Sequence, residues 1–278
     1  MIKSVLLPVD GSGYTESVLR HGVDFGRSFG ALLRVVSVVD VRIFEWVATF
    51  GVDGFVPVMP SPLYREETEK VLQEKAEKTL ESAAALLKEE GVRFTTEKVA
   101  DSPVEAILER QRVADLVIMG QRGEYAKWES RLLGATVEAV SRQIEKPLMV
   151  VHQKYRQIRK ILLSYDGSRP ASRAMQFAGT LAEKMQAEVE VLTVHRDEEW
   201  ARRTLAEAED YLKAFECKVK TQWIAGDPDE AIPTRAADGG FDLVVIGGYG
   251  HSRLREAILG STTVHVMRNS PVPVCLVK

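Results

Sequence analysis

Two cysteines, Cys217 and Cys275, are all that the 278 residues contain. Neither has a second cysteine or a histidine at metal-ligand spacing, which excludes a disulfide framework and a zinc site and leaves both thiols as expected core residues. Basic charge is also short. A net charge of -3 and a pI near 6.0 give no overall footprint for nucleic acid, which is not an expected partner. The opening MIKSVLLPVD has an apolar run of only a few residues before Asp10. That is far short of a signal-peptide core or a membrane span, so a cytoplasmic location and no membrane partner are expected. A Walker lysine is missing as well, and no nucleophile stands beside a histidine at a telling spacing, so no efficient catalyst is evident.

What is present fits a globular protein. The apolar fraction is 45% and the charged fraction 28%, and the length suits two ordinary domains, each able to bury a core.

The chain repeats itself. SVLLPVDGS from Ser4 matches KILLSYDGS from Lys160, ADSPVEAI from Ala100 matches AGDPDEAI from Ala225, and ADLVIMGQRG from Ala114 matches FDLVVIGGYG from Phe241. The offset between the copies shrinks after the first match, which places an insertion in the first half, near 41–64. The boundary falls in the polar HQKYRQIRK stretch, so the expected domains are 1–153 and 158–278. In each copy, short Val-, Ile- and Leu-rich runs alternate with segments of helical periodicity, and Ser168-Arg-Pro170, Asp227-Pro228 and Ser102-Pro103 read as helix starts. Five strands alternating with four helices predict an α/β fold, a doubly wound parallel sheet in each half.

In such a sheet of order 3-2-1-4-5, ligands bind beyond the carboxyl ends of the strands, where the order reverses. Asp166 ends the first strand of its half and Gly247 the fourth, and the two flank that point. Gly247 and Gly250 would let a phosphate or ribose approach the backbone and would take positive φ where the loop turns. Gly260-Ser261 begins a helix whose free N–H groups suit phosphate, with the hydroxyls of Ser261, Thr262 and Thr263 as further donors. Asp166 suits a ribose hydroxyl, a base amino group, or a metal reached through water.

Taken together, the VDGS and YDGS openings, the DPxEAI stretch, the Gly-x2-Gly-x9-Gly-Ser spacing and the closing PVPVCLV resemble the universal stress protein family over nearly the whole chain, twice. The resemblance implies two tandem five-stranded sheets of order 3-2-1-4-5, packed as an internal pseudo-dimer that can dimerise further. It implies adenine nucleotide as the ligand, ATP or AMP, with or without Mg2+. Carried over by position, it implies Asp166 and the backbone of Val194 against the adenosine, Gly247 and Gly250 along ribose and phosphates, and Gly260, Ser261 and Thr262 on phosphate. In the first half the counterparts are Asp10, Val38, Gly120, Gly123, Gly134 and Thr136. There, ten residues separate Gly123 from Gly134 and Ala135 replaces the hydroxyl residue. Thr136 supplies the hydroxyl only if the longer loop shifts the register by one.

The expected function is that of a regulatory nucleotide-binding protein of the stress response, acting on protein partners that the sequence does not name. Two alternatives stay open. One is a slow ATPase using His251, Arg253 or Arg255 near the phosphates; the other is an adaptor that binds no nucleotide. His195 is expected at the crevice rim, and Arg65 to Glu90 as a solvated helix face. The aromatic insertion, Val41 to Tyr64, is expected to pack as an excursion from the crevice side. The second half, which keeps Ser261 and the nine-residue spacing, is expected to bind more tightly than the first.

Overall fold

The computed structural model describes residues 2–40, 62–123, 133–248 and 260–278. The first half runs β1 (Ser4–Pro8), α1 (Thr15–Phe29), β2 (Leu32–Asp40), α2 (Pro62–Glu89), β3 (Phe94–Asp101), α3 (Pro103–Arg110), β4 (Leu116–Gly120), α4 (Ala135–Gln143) and β5 (Leu148–Val151). The second runs β6 (Lys160–Ser164), α5 (Arg169–Met185), β7 (Glu188–Val194), α6 (Glu198–Leu212), β8 (Val219–Ile224), α7 (Pro228–Asp238), β9 (Leu243–Gly247), α8 (Ser261–Asn269) and β10 (Val274–Val277). Most of the insertion expected at 41–64 lies outside the described residues; only its last three positions fall within them, opening α2.

Central strands such as β4 and β9 are buried on both faces, and their unbroken LVIM and LVVI runs suit a sheet with helices on either side. Helix starts follow the cap chemistry. Ser168 Oγ accepts from the Ala171 N–H at 3.3 Å and Asp197 Oδ1 from the Trp200 N–H at 3.0 Å. Ser102 and Asp227 precede Pro103 and Pro228 as N-caps that use their backbone only.

The strand order is β3-β2-β1-β4-β5-β10-β9-β6-β7-β8 in one ten-stranded sheet. Each half keeps 3-2-1-4-5, and among the described residues every pairing is parallel except the joint, where β5 and β10 run antiparallel with Leu276 opposite Leu148 and Cys275 opposite Met149. The two five-stranded sheets therefore merge edge to edge, because each half ends on a strand whose outer N–H and C=O groups need partners. Two hydrophobic layers, one on each face, run across the joint without a break. Polar contacts brace it: Gln121 Nε2 donates to the Met267 carbonyl at 3.1 Å, and Glu138 accepts from Arg142 at 2.7 Å and from Arg268 at 3.2 Å. Those guanidiniums, Arg142 first, hold the Glu138 carboxyl below its ordinary range. Cys275 is buried in the joint, and Cys217 packs half-buried against the core.

The halves differ in one ion pair. Arg235 on α7 grips Glu190 of β7 through two bonds of 2.6 and 2.7 Å, and Glu190 is 5% exposed. The equivalent Arg110 on α3 grips Glu97 of the edge strand β3, whose side chain is 55% exposed. Removing one partner of a buried pair leaves an uncompensated charge, whereas an exposed pair contributes little. Glu190→Ala should therefore lower unfolding free energy by about 3 kcal/mol and Glu97→Ala by less than about 1 kcal/mol. Urea unfolding of both variants checks the order.

Between the halves, the Tyr155 hydroxyl donates to both Asp24 oxygens at 3.0 and 3.1 Å, and its ring meets His21 edge-on with centroids 4.9 Å apart. His21 is fully buried on α1, with Nδ1 donating to the Ser17 carbonyl at 2.7 Å. Burial pushes its pKa down to about 4, against the opposing pull of the Ser17 and Arg156 backbones. The unfolded chain thus takes up this proton first as pH falls, so the contribution is complete above about 6.5 and is lost towards 4. Between pH 7 and pH 5 the loss should be about 2 kcal/mol, and His21→Gln should flatten the slope in urea titrations across that window. Asp24, raised by burial, acts in the opposite sense, because its folded form holds the proton longer.

Candidate functional site

The loop after the first strand of each half is built by Asp-Gly-Ser. Asp10 Oδ1 accepts from the Ser12 N–H at 2.9 Å, and Asp166 Oδ1 from the Ser168 N–H at 3.0 Å. This carboxylate-held turn needs a left-handed residue in the middle, supplied by Gly11 at φ +75 and Gly167 at φ +70. One oxygen of each aspartate is thus committed to holding the loop open at the crevice.

The next wall is the end of the fourth strand. Gly120 and Gly247 close β4 and β9, and neither takes positive φ, which corrects the expectation made for Gly247. Their requirement is close packing. A Cβ at Gly247 would stand 2.5 Å from the Ala171 nitrogen and from the Pro170 carbonyl carbon, and one at Gly120 would stand 2.5 Å from Tyr14 Cβ. The strand ends therefore touch the first turns of α5 and α1, and what meets each glycine there is the protein itself. Gly123 differs: its Cβ would come 2.7 Å from Asp10 Oδ2, on the rim of the crevice.

The third wall is a helix start. Gly134 and Gly260 are the N-caps of α4 and α8, with nearly the same backbone angles, φ -61 and ψ 142 against φ -54 and ψ 142. Ala135 and Ser261 both follow as first helical residues, and Thr136 matches Thr262. The two helices therefore start in the same register. Thr136 does not move into the place of the missing hydroxyl. The opening N–H groups of both helices face no intrahelical carbonyl and suit an anion.

In the first half these walls enclose a cavity of about 460 Å³. Asp10, Val38, Gly120, Gly123, Gly134 and Thr136 all line it, from four separate stretches of chain. Tyr14, Asp40, Lys75 and Arg122 line it too. Sequence reasoning missed these four. Tyr14 and Arg122 flank motifs that were read, whereas Lys75 sits in a run assigned to solvent, and only the packing of α2 brings it in.

In the second half, Asp166, Val194, Gly247, Gly260, Ser261 and Thr262 occupy the matching places in the fold, at the ends of β6, β7 and β9 and the start of α8. Gly250 lies outside the described residues, as do His251, Arg253 and Arg255. His195 follows β7 and is half-buried. Among the described residues no group of three or more His, Cys, Asp or Glu side chains is arranged to hold a metal, and no helix is long and apolar enough to cross a membrane.

Known proteins share this plan. A family model described as the universal stress protein family matches residues 1–152, 157–218 and 196–278. The chain is 28% identical over 283 residues to universal stress protein Slr1230 of Synechocystis, covering 98% of this chain and 99% of that one. A universal stress protein of Mycolicibacterium smegmatis is 24% identical over 293 residues, covering 99% and 96%. The crystal structure of a universal stress protein from Archaeoglobus fulgidus superposes with a TM-score of 0.76 at 25% identity, covering 99% of this chain and 96% of that one.

Proposed function

The chain belongs to the universal stress protein family, and from that premise we propose that it is a regulatory protein of the cytoplasmic stress response that binds adenine nucleotide, ATP or AMP, in each of two domains, 1–153 and 158–278. The observation that carries this reading is the cavity of about 460 Å³, within the usual range for small-ligand sites, at the strand ends of the first half. Its walls divide the ligand's chemistry. The Asp10 carboxylate and the backbone around Val38 suit a nucleoside, and the Gly134 helix start suits phosphate. Lys75 and Arg122 add positive charge to the same cavity. Mg2+ enters this reading only as the companion of ATP. The matching placement of Asp166, Val194, Gly247, Gly260, Ser261 and Thr262 supports a second site.

Mass spectrometry of small molecules released from the natively purified protein tests the proposal. Adenine nucleotide at one to two equivalents is expected; a chain that carries none and takes up neither ATP nor AMP in calorimetry would refute it.

The two sites should differ in strength. Ser261 presents a hydroxyl at the first helical position where Ala135 has none, and a hydrogen bond to a charged group contributes roughly 1.5–3 kcal/mol. Calorimetry should resolve two affinities about tenfold or more apart. Gly123→Val, which crowds Asp10, should remove the weaker component, and Gly250→Val the tighter one. The opposite assignment would show that the ranking is wrong.

A further inference from the structure

α2 and α6 occupy the same place in the two halves, but they bring different chemistry to the crevice. The match is fixed by a shared threonine. Thr79 donates to the Lys75 carbonyl at 2.9 Å and Thr204 to the Trp200 carbonyl at 3.0 Å. A Cβ at Gly11 would meet Thr79, and one at Gly167 would meet Thr204. Lys75 and Trp200 are therefore counterparts, one turn before a threonine that touches the Asp-Gly-Ser loop. Lys75 lines the first cavity. Trp200 holds the corresponding helical position in the second half.

Trp200 is not alone. Its ring lies against His195 with centroids 4.3 Å apart and planes 37° from parallel, and both residues are half-buried. The turn that carries them is braced on every side. The His195 N–H donates to the Ile224 carbonyl at 3.1 Å, and its carbonyl accepts from Trp223 Nε1 at 2.8 Å. Its Nδ1 accepts from the Asp197 N–H at 3.0 Å, and Asp197 caps the helix on which Trp200 sits. His195 thus backs the partly exposed Trp200 indole and holds it in place just after Val194, a pre-organised aromatic surface of the kind that stacks a planar heterocycle.

We propose that Trp200, held by His195, is the base-stacking residue of the second crevice, and that Lys75 gives the first crevice a cationic contact in its place. The proposal rests on the nucleotide reading above. Stacking tolerates any base, because every base has a π-face, whereas a lysine distinguishes ligands by their acceptors. Trp200 should therefore strengthen ATP, GTP and UTP by a similar factor without setting the preference for adenine, whereas Lys75 should affect the three unequally.

The test is calorimetric titration of the full chain, with tryptophan emission followed in parallel. Trp200→Leu should weaken one component about tenfold for all three nucleotides and reduce the quenching seen on binding. Trp200→Phe, which keeps a ring, should stay within about threefold of the parent chain and shows that a loss in the leucine variant is not one of folding. Lys75→Met should alter the other component and change its order of preference among the bases. Unchanged affinities and quenching in Trp200→Leu would overturn the proposal while leaving nucleotide binding intact. A parent chain that binds none of the three would overturn the nucleotide reading, and this inference with it.

Discussion

Leu276→Asp should prevent the two halves from forming one sheet and bring the unfolding midpoint below that of any other single substitution considered in this protein. Leu276 is fully buried in the antiparallel joint, opposite Leu148, where hydrophobic layers close over both faces. The change removes an apolar side chain worth about 1.5–3 kcal/mol of burial and puts a carboxylate into an apolar cluster. A total above about 5 kcal/mol is expected, which approaches the whole stability of an ordinary domain. Leu276→Ala isolates the packing part and should cost about 2–5 kcal/mol with the fold retained. Thermal and urea unfolding of the three chains checks the series. An aspartate variant as stable as the alanine variant would show that the joint is open to water.

The second large effect is expected at Gly247. Valine there places its Cβ 2.5 Å from backbone atoms of Pro170 and Ala171, which cannot swing aside as a side chain would. Either β9 or the first turn of α5 has to move, and both carry the second crevice. A loss of about 3 kcal/mol or more is expected, together with loss of second-site binding. Gly120→Val is the matching change in the first half, since its Cβ would stand 2.5 Å from Tyr14 Cβ, which the Tyr14 backbone fixes in place, and 3.0 Å from the Arg122 carbonyl oxygen. It should cost a similar amount and disturb the first site, which Tyr14 and Arg122 line. Circular dichroism melts with calorimetry on both variants check the pair, and a variant that keeps both its stability and its binding would contradict close packing at that strand end.

Much of this was legible in the sequence because it is written twice. The matching Asp-Gly-Ser loops, the apolar runs before Gly120 and Gly247 and the helix starts at Gly134 and Gly260 are short local signals, and repetition separates them from chance. The alternation of elements gave the parallel α/β sheet, while its strand order and the packing of the halves as a pseudo-dimer came with the family resemblance. The roles of particular residues were harder to read. Gly247 signals close approach, but sequence does not say whether a ligand or a helix approaches. Ala135 and the longer loop left the register of α4 undetermined until the caps could be compared. The pairing of Lys75 with Trp200 had no signature at all, since unlike residues in helices of different length align only through what they pack against. The same holds for Arg235 and Arg110, which find their carboxylates on different strands.

The antiparallel joint turns the strands of one half against those of the other, so their carboxyl ends, where the crevices lie, point to opposite ends of the sheet along the strand direction. Because β5 and β10 belong to one polypeptide, the joint does not come apart on dilution as an interface between separate chains would. Every molecule also carries the two crevices in a fixed ratio of one to one. Two copies of one chain would have to present identical crevices, and a change that suited one would be imposed on the other. Covalent union removes that constraint: a lysine can stand in one crevice and a tryptophan in the other, and each can change alone.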